Sequence, residues 1–134
     1  VTKREEEIIE ARFGAGFGNA IDNRKVEASA ITAAHQYLLQ QGWDVKSVER
    51  ARVGYDLDCY RYRSHIRVEV KGIRGRISSF ILTAGEYNRA MTDSKFYLCI
   101  VTNALTTPQI ELVHGKALHM RLYVSPLAYK ASLK

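Results

Sequence analysis

No apolar run in this chain is long enough to cross a bilayer, and no signal-peptide pattern opens it, which excludes a spanning helix and points to the cytoplasm. Cysteine is scarce. Cys59 and Cys99 both sit in strand-like apolar runs, with neither CxxC spacing nor an obvious histidine partner. That argues against a zinc knuckle or a disulfide framework and for free, buried thiols in a reducing compartment. Internal repeats and low-complexity tracts are also missing. The glycines of Gly14-Ala15-Gly16-Phe17-Gly18 make no phosphate loop, because no strand precedes them and no Lys-Ser/Thr follows; they read as a linker. His114 and His119 stand alone, without a ligand partner at metal-binding spacing. The chain starts at Val1 rather than Met, as expected of a processed chain or a domain cut from a larger protein.

What the chain does have is a strand of unusual composition. Ile66-Arg67-Val68-Glu69-Val70-Lys71-Gly72 alternates apolar and charged residues, the period of a strand with one buried and one open face. Tyr55-Asp56-Leu57-Asp58-Cys59-Tyr60 alternates likewise. A loop at Arg61 to Ser64 would fold the two into an antiparallel hairpin. Tyr60 then faces His65, Cys59 faces Ile66, Leu57 faces Val68 and Tyr55 faces Val70. A slip of one residue scatters the apolar set over both faces, so this register is strongly preferred. On the other face Asp58 meets Arg67 as an ordinary ion pair, and Asp56 meets Glu69. Two carboxylates opposed across a hairpin repel. A divalent metal would compensate, with Lys71 one position along.

Around the hairpin the order of elements is legible. Residues 2–13 predict a short charged helix, followed by the glycine linker. Asp22 or Asn23 can cap a helix from about Arg24 to Gln41 that stops at Gly42. Its apolar side carries Val26, Ala30, Ala33 and Tyr37, with Glu27, Ile31, Ala34 and Leu38 in the adjacent stripe. Glu27 is thus either a rim glutamate favoured by the helix dipole or a carboxylate aimed at the hairpin. Trp43 to Val48 predicts a first strand, and Gly72 to Ser79 a loop. Thr83-Ala84-Gly85-Glu86 is a capping-box pattern opening a helix to about Asp93; that structural role accounts for both Thr83 and Glu86. Phe96 to Val101 reads as a strand covered on both faces. Gln109 to Val113 predicts another strand, and Pro126 a turn or short terminal helix.

The chain carries a net charge of +6. The positive excess gathers about the hairpin, at Arg50, Arg52, Arg61, Arg63, Arg67, Arg74 and Arg76. A basic surface beside paired carboxylates suits a polyanionic substrate worked on by a metal; a solvated, mildly basic surface is the plain alternative.

This order, with Asp56, Glu69-Val70-Lys71 and a first-helix glutamate at Glu27, resembles the PD-(D/E)xK nuclease superfamily. Tyr55 stands where the proline of that pattern would be. Five blocks carry a closer resemblance: Val26-Glu27, Gly42-Trp43-Asp44-Val45, Gly54-Tyr55-Asp56-Leu57, Val68 to Gly72 and Leu82 to Glu86. Over roughly residues 19 to 110 they look like the DUF3883 family. That is the domain at the C-terminus of the plant NO VEIN protein, common in bacterial restriction and phage-defence proteins.

The resemblance implies an α/β fold with a restriction-endonuclease-like αβββαβ core, a central mixed sheet flanked by helices. Residues 1–22 would form an N-terminal helix and linker, and 23–134 the nuclease-like domain, a module of a larger protein. It implies a DNA endonuclease dependent on Mg²⁺, with Mn²⁺ as substitute. Asp56, Glu69 and the Val70 carbonyl would bind metal, with Asp56, Glu69, Lys71 and Glu27 forming the catalytic set. Arg61, Arg63, Arg67, Arg74 and Arg76 would grip DNA phosphates. Partners would be DNA, a second copy of the chain, and an attached ATPase/helicase or recognition domain, with no membrane. Two other readings stay open: a non-cleaving nucleic-acid-binding or scaffold module, and a nuclease acting on RNA.

Overall fold

A computed structural model describes residues 20–51, 53–76 and 79–134. The helix expected over residues 2–13 and the glycine linker lie outside these. Helix α1 (Ala20–Gln40) leads into β1 (Asp44–Ser47), the hairpin β2 (Leu57–Arg61) and β3 (Ser64–Gly72), then α2 (Ala84–Thr92), β4 (Phe96–Thr102), β5 (Gln109–His114) and a single turn, α3 (Leu118–Arg121). The five strands form one sheet in sequence order. All neighbours are antiparallel except β3 and β4. That parallel pair cannot be joined by a tight turn, and α2 is its crossover. This is the mixed α/β core the sequence predicts, with β5 added at one edge.

The hairpin register is confirmed from Tyr60↔His65 to Leu57↔Val68, and Arg61 and Ser64, expected in the loop, extend the ladder by one more pair. It closes through Tyr62, whose φ of 52° places it in the left-handed region. Three expectations are corrected. Helix α1 is already formed at Ala20, so neither Asp22 nor Asn23 caps it; Ala20 and Ile21 contain no helix breaker to delay the start. Strand β3 runs on through Gly72, because Ile73 continues the pairing with a bond from its N–H to the Val101 carbonyl at 2.8 Å. The segment around Pro126 lies beyond α3 and forms neither the turn nor the short helix expected.

The largest departure concerns the sheet faces. Ile66, Val68 and Val70 pack with Cys59, Leu57 and Cys99 under α1, which contributes Val26, Ala30, Ala34 and Leu38 at i, i+4 spacing. The other face is covered too. Phe96, Leu98, Ile100 and Val113 pack against Ala90 of α2 and Leu118. Glu69 is the register partner of Leu98, and Lys71 of Ile100, so both charged residues point into this second layer. The face expected to be open is therefore buried. Small residues set the spacing of the layers. A Cβ on Gly72 would lie 2.7 Å from the Ala30 Cβ, and one on Gly115 would lie 2.5 Å from the Ala90 carbonyl oxygen.

Candidate functional site

Four ionisable side chains are buried where β2, β3 and the start of α2 meet. Asp56 is 8% exposed, Glu69 1%, Lys71 6% and Glu86 4%. Burial of charge on this scale requires partners, and the chain supplies them in three steps.

Asp56 stands just before β2. Its N–H reaches the Val68 carbonyl at 3.0 Å, although Val68 is already the partner of Leu57. Two residues thus face one, a bulge-like departure that ends the regular ladder. The expected pairs Asp56↔Glu69 and Tyr55↔Val70 do not form part of it. Instead the Asp56 carboxylate accepts the Val70 N–H at 2.8 Å, giving that buried main-chain donor the acceptor it would otherwise lack. The Asp56 carbonyl in turn accepts from the Val48 N–H at 2.8 Å.

Glu86 belongs to the same cluster. The capping box forms as its sequence predicts: the Glu86 N–H donates to Thr83 Oγ1 at 3.1 Å, and the Thr83 N–H donates to Glu86 Oε1 at 2.9 Å. That same Oε1 accepts the Lys71 ammonium at 2.9 Å. Lys71 lies farther from Glu69, at 4.0 Å, than from Glu86. The capping pattern was a complete explanation of Glu86 in the sequence. Its second role follows only once the crossover helix is laid with its first turn over β3.

Glu69 is the consequence of this arrangement. Burial raises its pKa most; the Asp56 and Glu86 carboxylates and a side-chain hydrogen bond with Glu86 raise it further, and Lys71 offsets only part. Its carboxyl is pushed up to about 10, and it holds a proton at neutral pH. Three carboxyl groups and one ammonium thus share one buried cluster, in which Glu69 is shifted toward its neutral form.

The remaining predicted site residues are distributed around this cluster. Glu27 is exposed on α1, one residue beyond Val26, which packs over Gly72. It lies at the Lys71 end of β3 but on the opposite side of the sheet. Arg74 and Arg76 are exposed just past that end. Arg67 shares a sheet face with Glu69 but pairs with Asp93, through bonds of 3.1 Å to each carboxylate oxygen. The expected Asp58–Arg67 ion pair is not made, although the two are register partners. Asp58 is taken by His65 and by the Tyr60 hydroxyl, and His65 stacks on Tyr60 with centroids 4.2 Å apart. Burial works to raise the Asp93 carboxyl, but the Lys95 amide, Arg67 and Arg89 outweigh it and hold it low. Arg61 and Arg63 lie at the hairpin turn, the far end of β3 from Lys71.

The donors at Asp56 and Glu69 are hard oxygens, suited to Mg²⁺. Among the described residues no three His, Cys, Asp or Glu side chains are grouped to hold a metal ion. The set expected from the sequence is two carboxylates and the Val70 main-chain oxygen. Mg²⁺ characteristically completes such a partial set with waters and substrate phosphate. The buried acidic group at Glu69 is the feature of this site that fits a divalent cation. No helix among the described residues is long and apolar enough to cross a membrane.

Comparison with known proteins adds one result. No curated protein and no solved structure gives a significant match. A family model described as protein NO VEIN, C-terminal, matches residues 26–113. That span runs from α1 to β5 and holds Asp56, Glu69, Lys71 and Glu86; the chain belongs to the family of protein NO VEIN C-terminal domains.

Proposed function

We propose that this domain is a Mg²⁺-dependent DNA endonuclease, the nuclease module of a restriction or phage-defence protein. One observation carries the reading. Glu69 is buried beside two further carboxylates and is shifted toward its neutral form by that burial first and by those carboxylates second, an arrangement costly to keep unless the site is used with its charge compensated. Asp56, Glu69 and the Val70 carbonyl would hold the ion. When bound, it would act as a Lewis acid toward a phosphoryl oxygen and lower the pKa of a water.

The chain's own groups do the rest. Lys71, fixed by Glu86 at 2.9 Å, presents a positive charge beside the carboxylates and stabilises negative charge developing on the phosphate. Glu86 positions that ammonium and is itself locked by the first turn of α2. Arg74 and Arg76, exposed past the end of β3, attract the phosphate backbone in a sequence-blind and salt-dependent manner.

A second reading rests on a specific observation as well. Glu86 already serves Lys71, and Asp56 already serves the Val70 amide, so the cluster also makes sense as a satisfied polar network in a non-cleaving DNA-binding module. Incubation of plasmid and single-stranded DNA with Mg²⁺ or Mn²⁺ separates the two. Cleavage lost in Glu69→Gln and in Asp56→Ala, with both variants folded and still binding DNA, supports hydrolysis. Equal inertness of wild type and variants, with binding retained, supports the module. RNA in parallel reactions decides the substrate.

A further inference from the structure

At the other end of β3 lies a cavity of about 580 Å³, within the range of roughly 300–1,000 Å³ usual for small-ligand sites. Lys71 and His65 are six residues apart on an extended strand, so the cavity is roughly 20 Å from the carboxylate cluster. The C-terminal end of α1, the hairpin turn and the start of β4 line it, and it opens broadly to solvent.

Its walls combine two chemistries. Tyr37, Trp43 and Tyr97 supply aromatic surface, and Arg61, Arg63 and Lys95 supply positive charge. No aspartate or glutamate lines it. Arg61 is held in place: its guanidinium lies 4.2 Å from the Trp43 ring centroid, and its Nη1 donates to the Gln41 carbonyl at 2.8 Å. Arg63 and Lys95 are exposed, and among the described residues neither side chain forms an ion pair. A cation held on an aromatic plate, flanked by two exposed cations and two tyrosines, matches a ligand with a flat ring at one end and a phosphate at the other.

We propose that this cavity binds a nucleoside monophosphate unit, its base against the aromatic wall and its phosphate on Arg63 and Lys95. The unit is either a free mononucleotide or a nucleotide turned out of a single strand. Stacking of the base on aromatic side chains and charge-assisted hydrogen bonds to the phosphate act on the two ends of one such ligand. The proposal does not depend on hydrolysis.

Trp43 is the sole tryptophan of the chain and lines the cavity, so its fluorescence reports occupancy directly. The experiment titrates the intact protein, without added metal, with the four 5′-nucleoside monophosphates, inorganic phosphate, nucleosides and a short single-stranded oligonucleotide. Saturable change in Trp43 emission is expected with nucleotides, and at least tenfold weaker binding with phosphate or nucleoside alone. Tighter binding of the oligonucleotide than of any monophosphate assigns the site to a strand; equal or weaker binding assigns it to free nucleotide. The R63A/K95A double variant removes only exposed side chains, so it should melt as wild type does and bind at least tenfold more weakly. Tyr97→Leu, which keeps apolar bulk and removes the ring, should lose about tenfold. No saturable response to either nucleotide form overturns the proposal. So does undiminished binding in both variants, or inorganic phosphate binding as tightly as nucleotide. Because no cleavage is read, an inactive nuclease leaves this result standing, and a failed titration leaves the hydrolysis reading untouched.

Discussion

Replacing Glu86 tests whether the carboxylate cluster is organised through the first turn of α2. Glu86→Ala removes the 2.9 Å partner of Lys71 and one arm of the capping box. Breaking a buried ion pair costs about 3–5 kcal/mol where it leaves the other charge uncompensated, and losing a helix cap costs about 1 kcal/mol. Here compensation exists. Glu69 sits 4.0 Å from the same ammonium, and the Glu86 carboxylate is one of the groups keeping it protonated. With Glu86 gone, Glu69 ionises more readily and takes over part of the pairing. The expected loss is therefore about 2–4 kcal/mol, below the simple sum. Glu86→Gln retains the volume and a side chain competent at the third position of a capping box, and should lose about 1–2 kcal/mol. Urea denaturation followed by circular dichroism measures both, with the slope unchanged if only stability has moved. The reasoning fails if Glu86→Ala lies within about 0.5 kcal/mol of wild type, the range of an ordinary surface change. It fails equally if Gln costs as much as Ala, since the cap and charge contributions would then not separate.

Further expectations concern protons, thiols and close contacts. In metal-free buffer the folded state holds a proton on Glu69 that the unfolded chain releases near 4.5. Both states are protonated below that value, so this contribution is fully present there and is lost as pH rises toward about 10, at most about 1.4 kcal/mol per pH unit. Glu69→Gln should flatten this slope in denaturation curves taken across the window; an unchanged slope assigns the proton elsewhere. Burial pushes the thiols of Cys59 and Cys99 up to about 12, so a thiol reagent should label them only at the rate of unfolding, and rapid labelling in native buffer would contradict the buried α1 face. Gly115→Ala drives a methyl into the α2 backbone and should cost about 1–3 kcal/mol. Gly85→Ala, in the first turn of the same helix and with nothing within 4 Å of the added Cβ, should gain up to about 1 kcal/mol. Thermal melts of the pair should move in opposite directions.

The hairpin was legible because one apolar set admits one register. Every pair from Leu57↔Val68 to Tyr60↔His65 follows from burying Leu57, Cys59, Ile66 and Val68 together. The Asp58–Arg67 contact was not legible by the same logic. Register fixes which residues are neighbours, but the choice of partner belonged to Asp93 and to His65 stacked on Tyr60, residues brought in by a helix end and a turn. Asp56 escaped for a related reason. Alternation predicts a ladder up to Glu69, whereas a local two-against-one crowding at Val68 turned its carboxylate toward a main-chain amide. Helix α1 was found from its small and apolar stripe, but not its start, because Asp22 and Asn23 look the same inside a helix and at its cap.

The face carrying Glu69 and Lys71 shows why a charged strand face need not be a surface. Alternating charge on a strand reads as solvent contact because an isolated buried ion is so costly. That inference assumes each charge must find water. In this fold the parallel step from β3 to β4 obliges a helix to cross the sheet, and its first residues arrive with a glutamate already oriented by its own cap. Lys71 finds that glutamate instead of water, and Glu69 is sealed in by proximity and kept neutral. Topology thus converts a solvated pattern into a buried one without any change in the strand itself. The cost is concentrated at one acidic group, and the position where a fold concentrates such a cost is where chemistry is to be expected.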